Sequence, residues 1–490
     1  MDSTRHYALV LLLLAAAGLA AVLSNQLSAR IRIPAPVLFL VAAAIAEAAV
    51  PPLHPPGEKD LERIVTVALV LILFDGGLHI GWRRFREAVA PIALTGVVGT
   101  ILTAGALAVL AHLAFGFSWY VSLLLATALS PTDPAVVFSV LGRREIEGRS
   151  GTVLEGESGA NDPVGIALLM SLLSAGHLSA GTFADVLGQF SLQMAVGLAV
   201  GAVGGRLLLQ FVRRVSLPSE ALHPVATLSG AVGIYGVATV AHGSGFLAVL
   251  VAGIAVGDER APFKREIVRF HQAMAGLAEI VAFLVLGLTV DLHVVSRADV
   301  WGPGLVLGAL LAFVIRPLLV GPLLLRSGLR RGELAFVVLS GLKGAVPILL
   351  GVLIAGRAVP GSARLYGIVI VVVTFSVAVQ GSLVPWAAQM LGVPMRPTSP
   401  QPYTLGVRLE REPEGVLRLV VGAGSEVEGS TVDEVADRHG DVWVSLLVRE
   451  GNLVPVRGRT RLKTGDEVVI SAGDALHREV TAAFSGPLSH

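Results

Sequence analysis

Asp133, Glu157 and Asp162 set the chemistry open to this chain. All three lie close together in sequence, inside apolar stretches long enough to cross a bilayer. A charged side chain at membrane depth costs roughly 2.5–3.5 kcal/mol on insertion scales. A cluster of them points to an ion site. The segments are Ser130-Pro-Thr-Asp-Pro134 and Gly156-Glu-Ser-Gly-Ala-Asn-Asp-Pro163. In the first, Pro131 and Pro134 each lack an N–H and crowd the preceding turn, which predicts a helix break. A broken helix exposes carbonyls that ligate cations and N–H groups that face anions. The plainer reading is a proline kink, with Thr132 and Asp133 capping the second half-helix; the two are compatible. In the second segment, helical spacing spreads Glu157, Ser158, Asn161 and Asp162 over an arc of roughly 140°. Such a polar stripe must face the bundle interior. Its carboxylate, hydroxyl and carboxamide oxygens are hard ligands that suit Na⁺ or K⁺. The alternative is a hydrogen-bond network that only joins helices.

Other charges at depth need partners. Arg316 precedes Pro317 deep in a span, and Glu157 is its candidate partner, in a pair that is architectural rather than part of a transport cycle. Lys343 lies in Ser340-Gly-Leu-Lys-Gly-Ala-Val-Pro347, a second Gly/Pro-interrupted span. It either balances half-helix ends or snorkels to an interface. Interrupted spans in both halves are the pattern of inverted repeats. Asp75 either lines an ion path or caps the end of its span. Glu47, Glu279, Asp291 and Glu333 are expected near interfaces. His79, His112 and His242 read as satisfied polar residues rather than ligands.

The elements that carry these residues are membrane spans. Only 15% of the 490 residues are charged and the formal net charge is +1; the mean hydropathy is +0.75. Soluble domains carry about 25% charged residues, so the chain is expected to be an integral membrane protein, with no basic face for nucleic acid. Cysteine is absent, which removes disulfides and thiol chemistry. Residues 7–27 read as a span rather than a signal peptide. Apolar stretches of about twenty residues fall near 7–28, 33–50, 61–80, 89–114, 118–141, 151–175, 183–212, 222–241, 244–257, 272–291, 301–325, 333–356 and 364–390. Thirteen spans place the Lys/Arg-rich loops alternately on one side. The positive-inside rule then puts the N-terminus outside and the tail in the cytoplasm.

Beyond Met390 the character changes. Pro394, Pro397, Pro400 and Pro402 mark a linker, so the expected division is 1–392, a linker at 393–402, and a small α/β domain at 403–490. Its expected strands are Val416–Val421, Val442–Arg449, Asn452–Val456 and Glu467–Ser471, and its helices Thr431–Arg438, N-capped by Ser430, and Ala475–Phe484. Gly422–Gly429 is similar to a nucleotide loop but lacks glycine at the third fingerprint position; a strand-to-helix turn is the simpler reading.

Pro131-Thr-Asp-Pro134, Glu157-Ser-Gly-Ala-Asn-Asp-Pro163, Arg316-Pro317 and Gly341-Leu-Lys-Gly-Ala-Val346 together resemble the NhaP-type branch of the monovalent cation:proton antiporters, relatives of the animal sodium/proton exchangers. The resemblance covers about residues 5–392. It implies that Asp162 is the alternating carboxylate, supported by Asn161. Thr132, Asp133 and Ser158 would complete the shell for Na⁺ or K⁺, Glu157 and Arg316 would form a stabilising ion pair, and Asp75 would line the cytoplasmic approach. It further implies a homodimer in membrane lipid, with core and dimerisation domains and two crossing broken helices, exchanging cation for proton electroneutrally. Lys343 departs from the arginine usual in animal exchangers. The tail is similar to the RCK C-terminal (TrkA-C) regulatory domain through Leu417–Gly422, Arg449-Glu-Gly-Asn-Leu-Val-Pro455 and Leu462-Lys-Thr-Gly-Asp466. Related domains bind nucleotides or cyclic dinucleotides, and antiporters with such tails are often potassium/proton exchangers. A gated cation channel would need a filter such as Thr-Val-Gly-Tyr-Gly, which the sequence lacks. An enzyme would need a nucleophile–base pair or a metal triad, and none is legible.

Overall fold

The computed structural model describes residues 35–49, 56–141, 144–146, 148–177, 179–215, 217–257, 263–357, 359–397, 416–440, 442–450, 452–472 and 476–485. The expected span at 7–28 lies outside them. The chain divides into two compact units, Met1–Ser399 and Pro400–His490.

The first unit is helical. In order come α1 (Ala35–Ala49), α2 (Glu58–Ala93), α3 (Thr100–Phe115), α4 (Trp119–Leu129), α5 (Pro134–Leu141), a short strand β1 (Arg144–Ile146) and α6 (Arg149–Ala175). They continue with α7 (Ala180–Arg214), α8 (Leu222–Val240), α9 (Gly245–Val256), α10 (Lys264–Gly287) and the single turn α11 (Leu292–Val295). Then follow α12 (Ala298–Leu310), α13 (Arg316–Leu324), α14 (Arg331–Leu339), α15 (Ala345–Ala355), α16 (Ser362–Phe375), α17 (Gly381–Met390) and β2 (Met395–Pro397). π-helical turns at Leu94–Gly99, Leu311–Ile315 and Ser376–Gln380 join α2 to α3, α12 to α13 and α16 to α17.

Among the described residues, six helices are long and apolar enough to cross a membrane, and three shorter apolar helices accompany them. The run from Glu58 to Phe115 has 58 residues. At 1.5 Å per residue it would reach about 87 Å if straight, far beyond a single crossing. Gly81, at φ 66 and ψ 158, interrupts it, between the expected spans 61–80 and 89–114. The expected span at 272–291 instead starts at Lys264, because the charged first turns of α10 are helical. Pro163 lies within the continuous helix α6. Both interrupted spans do break, at 130–133 and 340–344. The core is mostly aliphatic, with Phe74, Phe283 and Phe336 among its largest buried side chains. β1 and β2 pair antiparallel, Glu145 opposite Arg396, so the residues after the last helix are tied to the connection between α5 and α6.

The second unit holds β3 (Val416–Val420), α18 (Val432–His439), β4 (Val442–Arg449), β5 (Asn452–Val454), β6 (Glu467–Ala472) and α19 (His477–Phe484). The sheet order is β3-β6-β4-β5, antiparallel throughout. Alternation in β4 buries Val442 and Val444 and leaves Trp443 exposed, and an irregularity between Val444 and Leu446 shifts the inward face to Leu447; these pack with Val435, Val480 and Phe484 of the two helices. The N-cap of α18 is Thr431 rather than Ser430: the Thr431 side chain accepts from Glu434 N–H at 3.3 Å, and Glu434 closes a capping box. In the Gly422–Gly429 turn, Gly424 N–H donates to Glu428 at 2.6 Å and the Thr464 hydroxyl donates to the same carboxylate. These two donors hold the Glu428 carboxylate below its usual range.

Candidate functional site

The two helix breaks meet. Where α4 stops, its last carbonyls lose their helical partners, and at this depth such groups must be satisfied by protein. Lys343, from the second break, supplies the donors: its Nζ reaches Ser130 O at 2.9 Å and Pro131 O at 2.8 Å. In return, Asp133 N–H donates to Leu342 O at 2.8 Å. Lys343 is 1% exposed, so of its two readings the ammonium balances a half-helix end and does not snorkel.

Thr132 is gripped from α6. Its N–H donates to Asn161 Oδ1 at 3.2 Å, its Oγ1 accepts from Asn161 Nδ2 at 2.7 Å, and it shares a hydrogen bond with Ser158 Oγ at 3.0 Å. The stripe expected on α6 thus does face inward, and it meets the break in the neighbouring span. Asp133 caps α5 by accepting from Ala135 N–H at 2.9 Å. The Asp133 carboxylate lies so close to Gly344 that a Cβ there would overlap it. Asp162 Oδ1, like Glu157 Oε2 and Asp75 Oδ1, takes no hydrogen bond from the described residues. It lines a cavity of about 2530 Å³ together with Asp133 and Ser158.

Glu157 and Arg316 stand apart from that cavity. Arg316 Nη2 donates to Glu157 Oε1 at 2.8 Å and Nε to Val338 O at 3.2 Å, with both side chains buried. Gly341 makes room for the guanidinium; a Cβ would overlap it. Asp75 sits mid-helix in α2 on the cavity wall, not at a helix end, with its Oδ1 3.4 Å from His79 Nδ1. Glu279 lines the same cavity. It stands towards the middle of α10, which runs from Lys264 to Gly287. Arg84, Arg149 and Arg330, from three of the basic segments, also line it.

Two residues escape sequence reading. Ser376 and Gln380, in the third π-helical turn, touch the second break: Ser376 Oγ accepts from Lys343 N–H at 3.0 Å, and Gln380 Nε2 donates to Leu339 O at 2.6 Å. Their only signal was polarity inside an apolar span.

The arrangement presents on the cavity wall the Asp162 carboxylate, with an oxygen that takes no hydrogen bond from the described residues, Asp133 beside it, and the Ser158 hydroxyl, itself bonded to that of Thr132. Oxygens of these types are the ligands that a small hard cation or a proton takes. Residues 13–390 match the family model described as sodium/hydrogen exchanger, transmembrane. The K(+)/H(+) antiporter NhaP of Alkalimonas amylolytica is 32% identical, covering 94% of this chain and 81% of its own length. The K(+)/H(+) antiporter NhaP2 of Shewanella sp. (strain MR-4) is 30% identical, covering 99% and 84%. The structure of the sodium proton antiporter MjNhaP1 from Methanocaldococcus jannaschii superposes with a TM-score of 0.65 at 21% identity, covering 78% of this chain and 99% of that one. The chain therefore belongs to the transmembrane sodium/hydrogen exchanger family.

Proposed function

We propose that the protein is an antiporter that exchanges a monovalent cation, K⁺ or Na⁺, for protons by alternating access at Asp162. The observation that carries this reading is the Asp162 carboxylate itself, with one oxygen uncommitted on the wall of a cavity it shares with Asp133. Burial favours the neutral form of a carboxyl, and a neighbouring cation favours the ionised form. Proton and cation therefore exclude one another at one site. Asp133, Thr132 and Ser158 contribute the remaining oxygens, Asn161 holds Thr132, and the Glu157–Arg316 pair braces the frame. One charge in either direction makes the exchange electroneutral. The basic residues on the cavity wall mark the cytoplasmic end by the positive-inside rule, which supports an inward-facing state.

In this reading the membrane unit has thirteen spans in inverted repeats and works as a homodimer in lipid, with the tail cytoplasmic and regulatory. The identity and coverage of the K(+)/H(+) relatives support K⁺ as a cargo. Reconstituted full-length protein is expected to exchange K⁺ or Na⁺ for protons, and Asp162→Asn to bring exchange to background while the protein purifies and melts like the wild type. Retained exchange in that variant sinks the proposal. Truncation after Pro397 is expected to change cation or pH dependence at unchanged expression.

A further inference from the structure

The second break leaves two kinds of orphan group, and one turn of a neighbouring helix serves both. Leu339 ends α14, so its carbonyl has no helical partner; Lys343 precedes α15, so its N–H has none. Gln380 Nε2 donates to Leu339 O at 2.6 Å, and Ser376 Oγ accepts from Lys343 N–H at 3.0 Å. The two side chains are linked, since Ser376 Oγ–H donates to Gln380 Oε1 at 3.0 Å. Ser376 and Gln380 are each 2% exposed and Lys343 is 1% exposed. The turn that carries them is π-helical, with Gly381 N–H bonded to Ser376 O; such turns often occur at functional sites.

From Lys343 the connection runs on to the ligands. Its ammonium holds Ser130 O and Pro131 O, and the next residues are Thr132 and Asp133. Gly344, adjacent to Lys343, abuts the Asp133 carboxylate. We propose that Ser376 and Gln380 are positioning residues for cation binding: they fix the backbone of the second break where Lys343 and Gly344 hold the Thr132–Asp133 ligands in place. Neither side chain lines the cavity, so both act through Lys343. This rests on the antiport reading above.

The test uses full-length protein carrying Ser376→Ala, Ser376→Thr or Gln380→Met. Cation affinity is read in two ways: as the half-saturating K⁺ or Na⁺ concentration for exchange in proteoliposomes across a pH series, and as cation-dependent thermal stabilisation in detergent. Outer-shell partners of metal ligands typically contribute about 10–100-fold in affinity. Ser376→Ala and Gln380→Met are expected to weaken cation binding about tenfold and to move the pH profile, and Ser376→Thr, which keeps the hydroxyl, to restore both. A purely structural role would lower the melting temperature and leave affinity per folded molecule unchanged; that result overturns the proposal. If either variant fails to fold, Ser376→Cys keeps the volume and weakens the acceptor, and is read against the same expectation. Wild-type protein that binds cation without exchanging it would sink the antiport reading, while the binding measurement would still judge Ser376 and Gln380.

Discussion

Glu157 and Arg316 form a pair in which each charge is tolerable only because of the other. Glu157→Ala would leave a buried guanidinium with Val338 O as its remaining hydrogen-bond acceptor, and removing one member of a buried pair costs about 3–5 kcal/mol. We expect a large fall in melting temperature in detergent for either single replacement, and a much smaller one for Glu157→Leu combined with Arg316→Met. This pair was legible in the sequence because a charge in an apolar span demands a counter-charge, and few were on offer. The same reasoning found Asp133 and Asp162. It did not find the partner of Lys343, whose acceptors are backbone carbonyls 212 and 213 residues away; any peptide group could have served. Ser376 and Gln380 stayed hidden for a related reason. Neutral polar side chains in a span impose no charge balance, so only their contacts distinguish them.

Helix interruptions recur around this site, although α6, which carries Asp162, is continuous. The π-helical turn at 94–99 brings Gly96 against Glu157 O and Ala160 on α6, the turn at 311–315 leads into Arg316, and that at 376–380 carries the clamp on the second break. Prolines at 131 and 134 made the first outright break predictable, and the Gly/Pro-rich run from Ser340 to Pro347 the second. The π-helical turns have no comparable sequence mark, since one extra residue per turn leaves an apolar run looking unchanged. The start of α10 was misplaced because Lys264, Arg265, Glu266 and Arg269 read as a loop while forming the helix's charged first turns. Close approach at the crossing yields a contrast between two glycines. Gly344→Ala drives a methyl into the Asp133 carboxylate, whereas Gly321 in α13 has open space around its missing Cβ. Proteoliposome exchange is expected to fall by more than about tenfold for the first, by the sensitivity of a site to small displacements, and to stay at wild-type level for Gly321→Ala.

At the scale of the whole molecule, each unit has a consequence that can be taken by itself. In the second unit Asp466 is buried, and burial alone would raise its carboxyl. The fork of Arg449, at 2.8 and 2.7 Å, and the Lys463 N–H, at 2.8 Å, outweigh that and hold it below the ordinary carboxylate value. An unfolded aspartate titrates near about 3.9. The stabilisation is therefore complete above roughly pH 4 and is lost as pH falls through the lower, folded value. Asp466→Asn should speed hydrogen exchange of the β6 amides in the full-length protein by about tenfold or more at neutral pH, and the gap to wild type should narrow below roughly pH 4. In the first unit, the cavity leading to Asp162 has a consequence of its own. At about 30 Å³ per water, its volume of about 2530 Å³ accommodates on the order of eighty solvent molecules. Room on that scale lets an ion arrive with water around it, so on the antiport reading its hydration is exchanged for protein oxygens at the carboxylates. In that reading alkali metals are discriminated at Asp162, and substitutions along the mouth are expected to change the rate of exchange in proteoliposomes more than the ratio of K⁺ to Na⁺ exchange.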